Sequence, residues 1–334
     1  MPPRGPTIDP DIRRLLATLF STSPSHGPPD VAQLRAAADA VPGILGGPPE
    51  AVASTRDLVV PGRRSGVKAR VYRAAATAPL PLALFAHGGG WVTGSLDSHD
   101  RLCRILANAF GSVVVAVDYA LAPEHVYPAA LDDVESAWHW VRENARELGA
   151  DGSRFLVAGD SAGGNLVAAL ALRLVRTGAH APDLQVLLYP ALDALCTRAS
   201  YREFTTGFNL TAAEMAWYWN TYRADAEIHP DLCPLSAPEL AGLPAAVIAV
   251  AAADVLRDDG LDYARRLEAA GVPVRVIDCA GMIHGFLRWT GEVRAARHWI
   301  DAIAGAAREG LLRPTRLSAG ARARPSMPGE SGAR

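Results

Sequence analysis

The sequence predicts an α/β fold, in which a mostly parallel eight-stranded sheet is covered by helices on both faces. Three observations carry this reading. After Pro81, short apolar runs bounded by turns recur at Leu82–Ala86, Val113–Asp118, Phe155–Ala158, Leu184–Tyr189, Ala246–Ala251 and Val274–Asp278. Longer helical stretches separate them, and buried runs alternating with helices imply parallel strands. Upstream, Asp57–Pro61 and Val67–Tyr72 flank a Gly62–Gly66 turn, which predicts an antiparallel pair running against the rest.

The elements follow in order. Asp9 is placed to cap a helix whose first position is Pro10, where a missing N–H costs nothing. Ile12, Leu15, Leu16, Leu19 and Phe20 fall on one face of it. A second helix is expected from Asp30 to Ala40, ending before Pro42. Between Tyr189 and Ala246 the alternation stops. Thr211 and Glu214 there form a capping box, with Leu210 and Met215 as a hydrophobic staple. The helix they open carries Trp217, Tyr218, Trp219 and Tyr222. Inserted segments at the carboxyl edge of a sheet often carry function, so we expect a cap whose aromatic face lines an apolar pocket. The expected division is 1–50 as the N-terminal part of the cap, 51–190 and 245–312 as the core, 191–244 as the cap insertion, and 313–334 as a Gly-, Ser-, Pro- and Arg-rich disordered tail.

Composition narrows the partners. Of 334 residues, 49% are hydrophobic and 20% charged, which suits a globular chain with a large core. A net charge of −2 supplies no field to gather nucleic acid or an anionic membrane surface. The first ten residues lack a secretory pattern, and no apolar run reaches the roughly 18 residues of a membrane span. The four cysteines have no paired spacing and are expected to be reduced, in a cytoplasmic protein. A small-molecule partner is the expectation.

The chemistry starts at Gly159-Asp160-Ser161-Ala162-Gly163-Gly164, between the strand Phe155–Ala158 and the apolar run from Asn165 to Leu172. A strand, a tight turn and a helix around G-x-S-x-G place a serine in a strained turn with small neighbours, its helix N-terminus facing a developing anion. Ser161 is therefore the expected nucleophile. At the end of Leu82–Ala86 stands His87-Gly88-Gly89-Gly90-Trp91, whose glycines allow backbone N–H groups to approach a substrate oxygen. Gly89 is the first candidate donor, Gly88 or Gly90 the second, with the Ala162 N–H completing the set. His87 is expected to brace this loop.

Acid and base should follow in the order Ser, Asp, His, each past a later strand. Asp254 stands after Ala246–Ala251 and His284 after Val274–Asp278. Asp258 and Asp259 read as caps of the next helix. Of the other histidines, His26, His180 and His298 read as lying in exposed or helical contexts, and His99, His125, His139 and His229 lack a strand-end position in the right order. Trp91, Asp160, Met215, Trp219 and Phe286 are candidate pocket residues.

With these motifs in hand, the sequence resembles the bacterial hormone-sensitive-lipase-like (family IV) carboxylesterases, a group of the α/β-hydrolase superfamily whose motifs include HGGGW and GDSAGGN. The likeness spans roughly residues 56–300. It also takes in Asp118-Tyr-Ala-Leu-Ala-Pro-Glu-His125, Tyr127-Pro-Ala-Ala-Leu-Asp-Asp133 and Gly281-Met-Ile-His-Gly-Phe286. The resemblance implies an α/β-hydrolase fold with a helical cap, no metal or organic cofactor, and a possible homodimer. Val255 departs from it, since the family often has proline after the acid, and a looser loop around Asp254 is the expected consequence. The expected activity is hydrolysis of short- to medium-chain acyl esters through a Ser-His-Asp triad and an acyl-enzyme. An amidase with the same triad is the runner-up. Plant gibberellin receptors look like this family but lack the histidine, which is present here as His284.

Overall fold

Asp9 accepts a hydrogen bond from the Asp11 N–H at 2.8 Å, opening helix α1 (Pro10–Thr18). The computed structural model describes residues 7–19, 30–76 and 79–312. Phe20, His26 and the expected tail at 313–334 lie outside the described residues. In α1, Ile12 and Leu15 are buried, whereas Leu19 is 47% exposed, so the apolar face is narrower than its spacing suggests.

Helix α2 (Val31–Leu45) runs past the expected stop, with Pro42 inside it. Proline in a helix interior costs ~3 kcal/mol. Here Pro42 and Leu45 are both buried, and the Leu45 carbonyl accepts the Gly291 N–H at 2.9 Å. Tertiary anchoring of the last turn overrides the local penalty.

The strands are β1 (Ser54–Val60), β2 (Val67–Arg73), β3 (Leu80–Ala86), β4 (Val113–Asp118), β5 (Ala150–Asp160), β6 (Leu184–Leu188), β7 (Ala245–Ala253) and β8 (Val274–Ile283). Between β3 and β6 lie α3 (Asp100–Phe110), α4 (Ala129–Glu143) and α5 (Ala162–Arg176). After β6 come α6 (Ala199–Glu203) and α7 (Ala212–Arg223), then α8 (Arg257–Ala269) between β7 and β8, and α9 (Arg294–Leu312) last.

One eight-stranded sheet results, in the order β1-β2-β4-β3-β5-β6-β7-β8. Every residue of β3 and β6 is buried, as strands covered on both faces require. Helix α3 packs with α9, and α4 with α5, to form the covering layers. The expectation for the first two strands needs correction. β2 is antiparallel to both β1 and β4, so β1 runs in the same direction as the parallel strands and β2 alone opposes them. A hairpin reverses the chain once, so its two strands cannot both oppose the rest.

The order also reverses around β3. The chain steps from β3 to β4 on one side and then crosses to β5 on the other, and such a reversal opens a crevice beyond the carboxyl ends of the strands. The parallel register sets Ala86 beside Gly159. The loop after β3 and the turn after β5 therefore meet although more than seventy residues separate them in sequence.

Candidate active site

Ser161 sits between β5 and α5 with φ 55° and ψ −117°. This backbone is strained for a residue with a Cβ. It is held by the Ser161 N–H donating to the Leu188 carbonyl at 2.8 Å. Gly163 makes the turn possible, because a Cβ there would run into the Ala86 carbonyl oxygen. The strain aims the hydroxyl out of the sheet edge, where Oγ lies 2.9 Å from His284 Nε2.

His284 follows β8, which continues five residues beyond its expected end and so carries the histidine past the sheet edge. Its Nδ1 lies 2.7 Å from Asp254 Oδ2. The other Asp254 oxygen accepts the Leu256 N–H at 2.9 Å, so the carboxylate is fixed at both ends. The loop around Val255 is not slack: Val255 is fully buried and its carbonyl accepts the Ser200 hydroxyl at 2.6 Å. Packing supplies what a proline would have supplied through φ.

The glycine loop divides its N–H groups. That of Gly88 donates to Asp160 Oδ1 at 2.8 Å and is unavailable to a substrate, which removes Gly88 from the candidate donors. The N–H groups of Gly89, Gly90 and Ala162 have no partner among the described residues. Gly89 and Gly90 adopt φ of +121° and +60°, and a Cβ on Gly90 would collide with the Tyr218 ring. His87 braces the loop: its ring stacks on Tyr119 at 4.2 Å, and the Tyr119 hydroxyl donates to the His87 carbonyl at 2.7 Å.

Asp160 is the tie between the two loops. Burial alone would push its carboxyl up. His99 Nε2 at 3.4 Å, the Arg288 charge and the Gly88 N–H outweigh that and hold it down at about 2. Burial pushes His99 below its ordinary range, and its ring bridges Asp160, 3.4 Å from Nε2, and the Ser98 hydroxyl, 2.8 Å from Nδ1. Burial likewise drives His87 down to about 3, with His99 adding to the shift. Both rings thus have folded pKa values below the unfolded ~6.5, and the Asp160 carboxyl lies below the unfolded ~3.9. In each case the unfolded chain binds the extra proton, so stability is complete above ~6.5 and declines as pH falls toward 3. A fully offset histidine contributes up to ~1.4 kcal/mol per pH unit in that window. We expect the melting temperature to fall by several degrees between pH 7.5 and pH 5.0; a flat profile would contradict a buried neutral His87.

The cavity beside Ser161 has a volume of about 200 Å³. Of the candidate pocket residues, Asp160 and Met215 line it. Trp91, Trp219 and Phe286 do not, being fully buried behind it. Trp91 stacks on Tyr222 at 4.6 Å and meets Trp219 at 4.3 Å, so α7 is fastened to the glycine loop by its aromatics. The capping box at Thr211 and Glu214 is formed in full. Of the α7 aromatics expected to line a pocket, Tyr218 does so. Leu34 and Ala38 from α2 and Arg288 also face the cavity, none of which the sequence singled out as pocket residues. Their signal was absent because no motif surrounds them. Asp258 and Asp259 serve differently from expectation. Asp258 accepts the Ser200 N–H, while buried Asp259 accepts the N–H groups of Leu192 and Asp193, so both brace the segment after β6 rather than capping α8.

All four cysteines are free thiols. Among the described residues no helix is long and apolar enough to cross a membrane.

What the fold and this constellation define together is an α/β-hydrolase. A family model described as the alpha/beta hydrolase fold matches residues 83–288. The carboxylic ester hydrolase LipN of Mycobacterium tuberculosis is 40% identical over 298 residues, covering 85% of this chain and 78% of its own. An ethyl acetate hydrolase of Pseudomonas putida is 42% identical over 217 residues, 64% of this chain and 68% of its own. Among solved structures, an ester-hydrolase from the metagenome of Lake Arreo superposes with a TM-score of 0.86 at 35% identity, covering 91% of this chain and 99% of its own. The chain belongs to the α/β-hydrolase family, in its hormone-sensitive-lipase-like group.

Proposed function

We propose that the protein is a serine carboxylesterase in which Ser161 is the nucleophile, His284 the general base and Asp254 the residue that orients the histidine. The observation that carries this reading is the continuous hydrogen-bonded line from Ser161 Oγ through the His284 ring to Asp254, at 2.9 and 2.7 Å, beside three unpartnered backbone N–H groups. Ser161 Oγ attacks the ester carbonyl while Nε2 takes its proton. Gly89, Gly90 and Ala162 donate to the oxyanion, each such donor contributing a factor of ~10²–10³ in turnover. His284 then returns the proton to the departing alcohol. Water, deprotonated by the same nitrogen, adds to the acyl-enzyme and releases the acid.

Helices α1 and α2 and residues 191–244 act as a cap, and residues 51–190 and 245–312 as the core that presents the triad. Leu34 and Ala38 on one side of the cavity and Met215 and Tyr218 on another support this division. A cavity of about 200 Å³ lies under the ~300 Å³ at which ligand pockets usually begin, which favours short acyl chains. The test is p-nitrophenol release from the acetate, butyrate, octanoate and palmitate esters. We expect the highest kcat/KM on acetate and butyrate, and a fall of at least tenfold by palmitate. A rate that climbs toward palmitate would overturn the size argument, and cleavage of matched anilides in preference to esters would overturn the reaction class.

A further inference from the structure

We propose that Arg288 is a specificity-determining residue that recognises a carboxylate carried by the substrate, so that the preferred esters bear a free carboxylate a few atoms from the scissile bond. The proposal rests on the esterase reading above and adds the chemical class of substrate to it.

Arg288 closes the short helical turn Phe286–Arg288, four residues beyond His284, and lines the same cavity as Ser161 and His284. Its Nε is buried without a hydrogen-bond partner, and its side chain makes no ion pair among the described residues. That is unusual in this molecule. Arg35, Arg70, Arg173, Arg198 and Arg257, comparably covered, each hold at least one carboxylate. Arg101, Arg142 and Arg198 also leave Nε without a hydrogen bond, but none of the three lines the cavity, Arg198 pairs with Asp193 and Asp262, and Arg142 lies over the Trp138 and Phe155 rings at 5.9 and 5.7 Å.

The acids that share the cavity with Arg288 are committed elsewhere. Asp160 accepts the Gly88 N–H and faces His99, and Glu214 accepts the N–H and hydroxyl of Thr211 at 2.8 and 2.7 Å. A partly buried guanidinium with an unused buried donor and no carboxylate partner among the described residues favours the arrival of a group that can accept from it. Its planar fork matches a carboxylate, and the pairing strengthens where water is scarce. The reaction itself is unchanged. Water adds across the acyl–oxygen bond, the alcohol leaves, and the new carboxylic acid ionises. The carboxylate that Arg288 holds belongs either to the acyl half, as in a half-ester of a dicarboxylic acid, or to the alcohol half, as in an acylated hydroxy acid.

Two matched pairs separate these sources, each pairing a carboxylate with a methyl ketone of the same shape. Monoethyl succinate is compared with ethyl 4-oxopentanoate, and 3-acetoxypropanoate with 4-acetoxybutan-2-one, on the full chain. We expect the wild type to favour the anionic member of one pair by at least about tenfold in kcat/KM. Arg288→Met should lower that ratio by about 10- to 100-fold, chiefly through KM, with Arg288→Lys retaining part of it. A residue that merely balances the Asp160 charge would lower both members of a pair together, and an unchanged ratio in Arg288→Met overturns the proposal. So does a wild type that prefers the neutral ester in both pairs, a result that needs no variant to fold. Absence of Ser161-dependent cleavage of all four esters removes the esterase reading itself.

Discussion

Ser161→Ala lowers kcat on p-nitrophenyl butyrate by about 10⁴- to 10⁶-fold, with circular dichroism and melting temperature close to wild type. The expectation follows from what Oγ does. It is the atom 2.9 Å from His284 Nε2, and among the described residues no other hydroxyl is hydrogen-bonded to that nitrogen. Without it no acyl-enzyme forms, and what remains is water attacking an ester held against the Gly89, Gly90 and Ala162 donors. Alanine preserves the Cβ and the positive φ of Ser161, so the turn keeps its geometry. Burst kinetics supply a second readout: the wild type should release up to one equivalent of p-nitrophenol ahead of steady state, and the variant none. Residual activity within tenfold of wild type, in a folded sample, would sink the assignment of Ser161.

Asp254→Asn is expected to cost about 10⁴-fold in kcat, comparable in scale although the side chain never touches substrate. The local hydrogen bonds decide the direction. The Leu256 N–H requires an acceptor at the near oxygen of residue 254, so an asparagine keeps its carbonyl there and turns its NH₂ toward His284. A donor facing Nδ1 selects the tautomer with the proton on Nε2, and that nitrogen can no longer accept from Ser161. Stability should change little, since the two groups are isosteric and the Leu256 bond survives. The pH–rate profile of the variant, measured beside its melting curve, checks this. Near-normal kcat with the profile unmoved would show that Asp254 does not set the histidine tautomer.

These expectations start from residues legible in the chain. Ser161 is readable because G-x-S-x-G between a strand and a helix is a local pattern, set by the steric needs of one turn. Asp254 and His284 are readable because each stands just past an apolar run, in the order the chemistry demands. The capping box at Thr211 and Glu214 is equally local. Gly88 misled because its neighbours look alike in sequence, and only the bond to Asp160 tells its N–H apart from those of Gly89 and Gly90. Trp91 and Trp219 misled for a related reason. Aromatic rings near a site read as lining, whereas their stacking turned them into the fastening behind it.

The sequence by itself determined the sheet and helix class, the strand count, the nucleophile turn and the order of acid and base. All of these follow from periodicities and turns that span a few residues. The tertiary structure alone decided which N–H groups remain open, that β1 runs with the parallel strands, that Pro42 stays inside α2, and that Arg288 lines the same small cavity as Ser161. Each of those depends on which distant atoms are in reach. Whether a polar group is spent or available is settled by partners far away in sequence, such as Gly88 and Asp160, 72 residues apart, and no local pattern encodes that distance.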